Sequence, residues 1–439
     1  MNREKLNDLI KWKNKKNRKP LILKGARQVG KTWILKEFGE KEFKNIAYFN
    51  FDRNEELGAI FNNTKDAKRI LENLALINGE AINPKDSLII FDEIQECPEA
   101  LNALKYLYED KPEYHITCAG SLLGLTLNGI AVGKVEFMQM GPLSFKEFLQ
   151  ATGELRLETQ MEQASSIYEV IEVLKDVMEE KLMQYYLIGG MPEAVIAWVE
   201  NKDIGLVKEV QNALVATYRD DFSKHTTKSQ QTKLTLVWDS LPRQLAKENK
   251  KFIYSLVRVG ARAKNLEETL QWLINAGLIE KVNWNSAKAL PLRPYDDGQV
   301  FKTYLLDVGL LANMAGLDSR LVLQKEKLFK EFKGSLAENY ICNSLWRNFE
   351  IEPKYWSSDS SHAEVDFIIQ FENEIIPIEV KASENIRSKS LKTFSEKNNS
   401  KLRVRYSLRS LSLDDNLLNI PLYMADWSDK LITLALKER

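Results

Sequence analysis

The chain has 439 residues, enough for roughly two to four domains with cores of their own. Apolar residues make up 44%, too many for disorder, and Lys plus Arg equals Asp plus Glu at 62 each, so no global field steers the chain onto nucleic acid. Cys97, Cys118 and Cys342 are scattered and form no CxxC pair, which argues against a structural zinc or a disulfide framework and for a reducing compartment.

The N-terminal MNREKLNDLIKWKNKKNRKP is charged and lacks the apolar core of a signal peptide. No uncharged apolar run reaches the roughly 18–20 residues of a membrane span. A soluble, cytoplasmic protein with no membrane partner is expected. Six of the ten residues Lys11 to Pro20 are Lys or Arg, with Trp12 among them. The run reads as a solvated helix face leading into the first strand. The competing reading is a nucleic-acid contact with a stacking aromatic.

LILKGARQVGKTWILKEF opens on a short apolar run, continues through Gly25 to Gly30-Lys31-Thr32, and resumes apolar spacing of helical period at Trp33, Ile34, Leu35 and Phe38. Strand, glycine loop and helix are the context in which GxxxxGK[ST] cradles phosphate. Gly25, Ala26, Arg27, Gln28, Val29, Gly30, Lys31 and Thr32 form the candidate nucleotide loop. The glycines let backbone N–H groups approach the phosphates, Lys31 reaches the β and γ oxygens, and Thr32 ligates Mg²⁺.

SLIIFDEIQ follows as a continuous apolar run ending in acid, the pattern of a buried parallel strand. Asp92 is expected to hold Mg²⁺, and Glu93 to orient and polarise the attacking water. YHITCAGS reads as a further strand that ends on Ser121, a γ-phosphate sensor or a capping serine.

GARQVGKT, IIFDEIQ, AGSLLG and GPLSFKEFL resemble the AAA-type ATPases. The likeness is to a bacterial and archaeal branch that joins such a module to a C-terminal domain of unknown function. It continues in YYLIGGMPEAV, YRDDFSK, FKTYLLDVGLL, KGSLAENYI and AEVDFII…IPIEVK, in order along nearly the whole chain. It implies ATP and Mg²⁺ as cofactors, and a helical lid over the nucleotide from residues 142–230. Arg219 is a candidate to reach a γ-phosphate, its own or a neighbour's. The competing reading pairs it with Asp220 or Asp221.

Residues 236–284 carry three helical pieces and a strand, LIEKVNW, the layout of a winged helix, which the resemblance also implies. Leu266, Leu270, Leu273 and Ile274 define one apolar face of the last helix. Arg258, Arg262 and Lys264 precede it and are candidate phosphate contacts, whereas Glu267 and Glu268 occupy positions where base contacts would be expected.

In the last third, HAEVDFIIQFENEIIPIEVKAS places Glu364 and Asp366 on one strand face, and Glu379 and Lys381 on one face of the next. Asn373 marks a hairpin between them. Glu338, near the start of an amphipathic helix, can join the cluster. Two oxygen ligands for Mg²⁺ and a cation near the attacking water are what a phosphodiester nuclease needs. Glu338, Asp366 and Glu379 are the candidate metal ligands, and Asp366, Glu379 and Lys381 the candidate catalytic set. The pattern resembles restriction-endonuclease-like domains, an acid followed by Glu-x-Lys on the next strand. Solvated charges on a half-exposed sheet are the competing reading.

The expected architecture is a multidomain α/β chain. A P-loop AAA-type module with its lid spans residues 1–230, a winged-helix-like middle 231–320, and a restriction-endonuclease-like domain 321–439. The expected function couples ATP hydrolysis to a nuclease-like domain acting on DNA or RNA, with further copies of the chain as candidate partners. The rival is a signalling ATPase whose C-terminal domain binds protein or nucleic acid and cuts nothing.

Overall fold

The computed structural model describes residues 2–54, 56–120, 133–170, 173–224, 226–247, 250–318, 330–349, 351–358, 363–382 and 389–438. It forms two compact units, Met1–Pro142 with Trp272–Leu278, and Leu143–Gln271 with Ile279–Arg439.

The first unit is built on a five-stranded sheet of β1 (Leu21–Lys24), β2 (Asn45–Asn50), β3 (Ser87–Asp92), β4 (His115–Ala119) and β5 (Glu136–Gln139), in the order β2-β3-β4-β1-β5. Every neighbouring pair is parallel. Helices α1 (Lys5–Lys13), α2 (Lys31–Glu42), α3 (Glu56–Asn63), α4 (Ala67–Asn78) and α5 (Pro98–Asp110) belong to the same unit. All six residues of β3 are buried, because a parallel sheet is covered on both faces and its strands need not alternate. Phe49, Phe51, Phe61 and Phe91 meet at tilted and edge-on angles in that core. Since β4 separates β3 from β1, the loop after β1 and the acids ending β3 emerge at one carboxyl edge of the sheet, where α/β sheets bind ligands.

The second unit begins with the helix Phe145–Ala151, whose cap Ser144 and Glu147 satisfy each other's backbone N–H. The helices Lys175–Ile188 and Pro192–Asn201 meet at Gly189-Gly190. There Asp307 accepts from the N–H of Gly190 at 2.6 Å and caps the helix Val308–Met314 through Leu310 at 2.9 Å. A Cβ on Gly189 (φ 74°) would lie 2.1 Å from that carboxylate, so the two segments require each other.

Eight strands form the second sheet: β6 (Ile279–Asn285), β7 (Asp296–Leu305), β8 (Lys354–Ser357), β9 (Glu364–Phe371), β10 (Glu374–Val380), β11 (Arg403–Ser407), β12 (Ser412–Asp414) and β13 (Leu417–Pro421). Their order is β12-β13-β11-β10-β9-β8-β6-β7. β9 and β10 make an antiparallel hairpin around Glu372 and Asn373, with Glu372 at φ 51°. The helix Lys330–Asn348 precedes β8, and the helix Lys389–Asn398 carries the chain to β11, parallel to β10.

The helices Lys228–Leu245, Tyr254–Val257 and Ala263–Asn275, over which a winged helix is expected, are followed by antiparallel β6 and β7. These two strands do not stand free as a wing. β6 pairs with β8 at Trp284 and Tyr355, and the Asn339 side chain bonds both the N–H and the C=O of Leu305 on β7. Buried Phe301, Tyr304 and Leu305 give that hairpin an apolar surface to cover, and the larger sheet covers it. No helix among the described residues is long and apolar enough to cross a membrane.

Candidate functional site

The loop between β1 and α2 has the backbone its residues predict. Gly25 (φ 153°) packs so tightly that a Cβ would sit 2.1 Å from Met140 O, and Gly30 is left-handed at φ 94°. Gln28 accepts φ 65° without being glycine, a strained conformation of the sort that collects in ligand loops. Arg3 braces the loop by donating to Val29 O at 2.9 Å and Gly141 O at 2.8 Å. α2 starts with no side-chain cap and no acid in its first turn, which leaves its positive end to an incoming anion.

Lys31 is 7% exposed, and its ammonium donates to Gly25 O at 2.9 Å and Ala26 O at 2.7 Å. Burial lowers its pKa to about 8, offset in part by the charges of Glu93 and Asp92. Arg27 is half-buried, and its charge depresses Lys31 further. A triphosphate offers such a lysine the negative charge that two carbonyls do not.

The Thr32 hydroxyl donates to Asp92 Oδ1 at 2.9 Å. This oxygen pair is of the kind Mg²⁺ takes, so the residues fit the ion. Glu93 sits at φ 51°, and Gln95 donates to its Oε2 at 2.6 Å. Ser121 lies outside the described residues.

Two further residues complete this edge. The Tyr48 hydroxyl donates to Asp92 Oδ2 at 2.7 Å, and Asn50 donates to Tyr48 at 3.2 Å. Both precede Asp92 in sequence, on β2. Their period-two spacing in NIAYFN was a signal that both face one side, with nothing to say what they face.

Residues 17–149 match an AAA domain. The β1–β5 unit is thus an AAA-type P-loop domain, and the match supports ATP binding and hydrolysis. Residues 179–321 and 333–424 match two domains of unknown function, DUF8612 and DUF4143. No curated protein matches the chain. Among solved structures it is similar to the Walker-type ATPase of Pyrococcus abyssi at 16% identity, over 71% of this chain and 95% of that one, with a TM-score of 0.44. It is also similar to the Aeropyrum pernix ORC1 protein in complex with DNA, at 13% identity over 76% and 91% of the two chains, with a TM-score of 0.28. Likeness to AMPPCP-bound DnaA from Aquifex aeolicus is at 16% identity over 62% and 86%, with a TM-score of 0.24.

In the second unit, the register pairing Phe367 with Ile378 continues to set Asp366 across from Glu379, on one face of the hairpin. Asp366 Oδ2 accepts from the N–H of Val380 at 2.8 Å. Glu379 is 5% exposed, its Oε1 lies 2.6 Å from Lys381 Nζ, and its Oε2 is buried without a partner among the described residues. Burial and then the charge of Glu338 hold the Asp366 carboxyl above the ordinary carboxylate range.

Glu338 is brought to this neighbourhood, but its oxygens are taken. Lys250 pairs with Oε2, and Tyr304 and Lys302 with Oε1. Burial alone would raise its pKa; the two lysines outweigh burial and hold it well below the ordinary value. Among the described residues no three His, Cys, Asp or Glu side chains are grouped to hold a metal ion. The expected grouping of Glu338, Asp366 and Glu379 around one Mg²⁺ is therefore not met in this arrangement, because Lys250, Lys302 and Tyr304 hold the Glu338 oxygens. Lys302 carried a visible signal, a lone charge inside the apolar run VFKTYLL.

Arg219 forms its ion pair with Asp239, at 2.6 Å, not with Asp220 or Asp221. Its partner lies on the next helix, which adjacent-residue reasoning could not supply.

Proposed function

We propose that this chain is an ATP-hydrolysing switch whose nucleotide state is coupled to a nuclease-like C-terminal domain that interacts with nucleic acid. The observation that carries the reading is the phosphate cradle, where a buried, carbonyl-held Lys31 lies beside the Thr32–Asp92 oxygen pair. In this reading Gly25 to Thr32 wrap the phosphates and Lys31 leaves its carbonyls for the β and γ oxygens. Thr32 and Asp92 would hold Mg²⁺, which neutralises charge on the transferring phosphoryl group when bound. Glu93 orients the attacking water and accepts its proton, and Ser121 senses the γ-phosphate.

The functional parts are residues 1–230, 231–320 and 321–439, with strands of the second sharing a sheet with the third. The order of helix, strand, hairpin, helix and strand from Lys330 to Ser407, with Asp366 opposite Glu379, supports a restriction-endonuclease-like fold. Asp366, Glu379 and Lys381 are its candidate catalytic set. DNA or RNA is the proposed partner, and further copies of the chain a second. A fold does not establish an activity. The lysines on Glu338 favour a second reading, a nuclease-like domain kept for binding.

Lys31→Ala should weaken ATP binding at least about a hundredfold, since it removes a buried charge partner of the phosphates. Wild-type affinity in that variant would overturn the ATPase reading. Asp366→Ala should abolish DNA or RNA cleavage with Mg²⁺ or Mn²⁺ and leave ATP turnover in place. A wild-type chain that cleaves neither substrate, with or without ATP, selects the second reading.

A further inference from the structure

The acidic centre on β9 and β10 is met by cations from a segment outside its own motif. Lys302, on β7, is 1% exposed, with its ammonium 2.7 Å from Glu364 Oε1 and 3.6 Å from Glu338 Oε1. It also lies 4.9 Å from the centre of the Tyr355 ring. Lys250 precedes the bridge that pairs Lys251 with Lys302, and it holds the second oxygen of Glu338. Lys381 holds Glu379. Glu338, Glu364, Asp366 and Glu379 are thus set among three ammonium groups, so most of the negative charge that would draw in a divalent cation is already cancelled.

The two lysines on Glu338 are not equivalent. Lys302 is enclosed, and Glu338, Glu364 and Asp366 all stabilise its charge. Removing it from the centre would strand a buried charge. Lys250 has Glu338 as its ion-pair partner, sits between two helices, and keeps 14% of its side chain exposed. Of the two lysines on Glu338 it is therefore the one with a solvent-accessible side chain. Glu379 Oε2, buried and without a partner among the described residues, is an acceptor that a cation entering the centre would satisfy.

We propose that Lys250 is a tethered cation occupying the divalent-ion position of the C-terminal centre, and that the centre takes a metal ion only when Lys250 is withdrawn. The proposal rests on reading Asp366 and Glu379 as a nuclease-like ligand pair. It adds a control to that pair, contributed by residues 231–320.

The test is a Mn²⁺ titration of the full chain without nucleotide, read by electron paramagnetic resonance as loss of the free-ion signal. Wild type, Lys250→Ala, Lys250→Met and the double variant Lys250→Ala/Asp366→Ala are compared, with thermal unfolding as the check on folding. Both single variants should gain Mn²⁺ affinity of at least about tenfold, and the double variant should lose it again. Lys250→Met preserves the packing of the aliphatic stem, so a folding failure of the alanine variant leaves the test intact. Equal Asp366-dependent Mn²⁺ binding by wild type and the single variants, or no gain in either, overturns the proposal. Adding DNA separates the two ideas. Lys250→Ala that binds Mn²⁺ but cleaves nothing upholds the tethered cation and removes the nuclease reading.

Discussion

Lys31 and Lys302 are both buried lysines, and they are satisfied in opposite ways. Lys31 donates to two backbone carbonyls, which accept its protons but supply no net charge. Its pKa falls to about 8 because the charges of Glu93 and Asp92 offset only part of the cost of burial. Lys302 is buried as deeply, yet Glu338, Glu364 and Asp366 raise its pKa above the ordinary lysine value. The first site holds a cation waiting for an anion. The second holds one whose anions are already in place. Burial alone thus does not mark a ligand site; the partner's charge does.

The comparison is broken most severely by testing whether the waiting site does chemistry. Glu93 is the acid next to Asp92, held left-handed at φ 51° with Gln95 on its carboxylate. Glu93→Gln keeps the side chain's volume and removes its basicity. It should lower kcat for ATP hydrolysis by about 10²–10⁴-fold while the Kd for ATP is unchanged. Single-turnover hydrolysis with a parallel binding titration reads both. An unchanged kcat would leave the loop a binding site and move the base elsewhere.

Some of this was legible in the sequence for a definite reason. The nucleotide loop and the Asp92-Glu93 strand end are local patterns, in which a glycine conformation and an apolar run are fixed by neighbours in the chain. The Asp366–Glu379 juxtaposition was legible because strand period and a two-residue turn set the register. The cations on Glu338 were not, since Lys250 is 88 residues away and arrives through a sheet order no periodicity encodes. Tyr48 reaches Asp92 across 44 residues for the same reason. LIEKVNW reads as the strand that follows the helices of a winged helix, because strand propensity does not say which sheet a strand joins.

A smaller effect sharpens the contrast through pH. Below about pH 8 the Lys31 ammonium is already formed, so ATP binding takes up no proton there and affinity is flat with respect to this group. Above it, phosphate must bind a lysine that has lost its proton, and affinity should fall towards about tenfold per pH unit. Lys302 works in the other sense. Its raised pKa keeps it charged through the same window, so its stabilising effect is full below the unfolded-state lysine value of about 10.4, is lost only as pH rises from there through the folded-state value, and adds no slope in this window. Calorimetric titration of ATP from about pH 7 to about pH 9.5 reads the first effect, and denaturant unfolding over that range reads the second. ATP affinity flat to the alkaline end would mean that Lys31 is no more depressed than an exposed lysine.

The smallest expected effect concerns the basic run from Lys11 to Pro20, which has the composition of a phosphate contact and the environment of a structural segment. Trp12 is 1% exposed and donates to Lys19 O, so it cannot stack on a base. Lys13 pairs with Glu42 at 3.0 Å, Lys15 pairs with Glu136, and Arg18 donates to the backbone of Glu113 and Tyr114. Lys13 joins the end of α1 to α2, while Lys15 and Arg18 lie past α1 and tie the following segment to β5 and to the loop before β4, which tells against the stacking reading. Three lysines on phosphates would contribute about 2.7 to the slope of log affinity against log salt. Replacing Lys13, Lys15 and Lys16 with glutamine should leave the slope of any DNA or RNA binding unchanged, with stability altered by under about 1 kcal/mol per pair. A slope flattened by about two or more would return the run to the nucleic-acid surface. It would also show that a cation paired with a carboxylate can still be recruited by phosphate, which is the point on which the contrast between Lys31 and Lys302 turns.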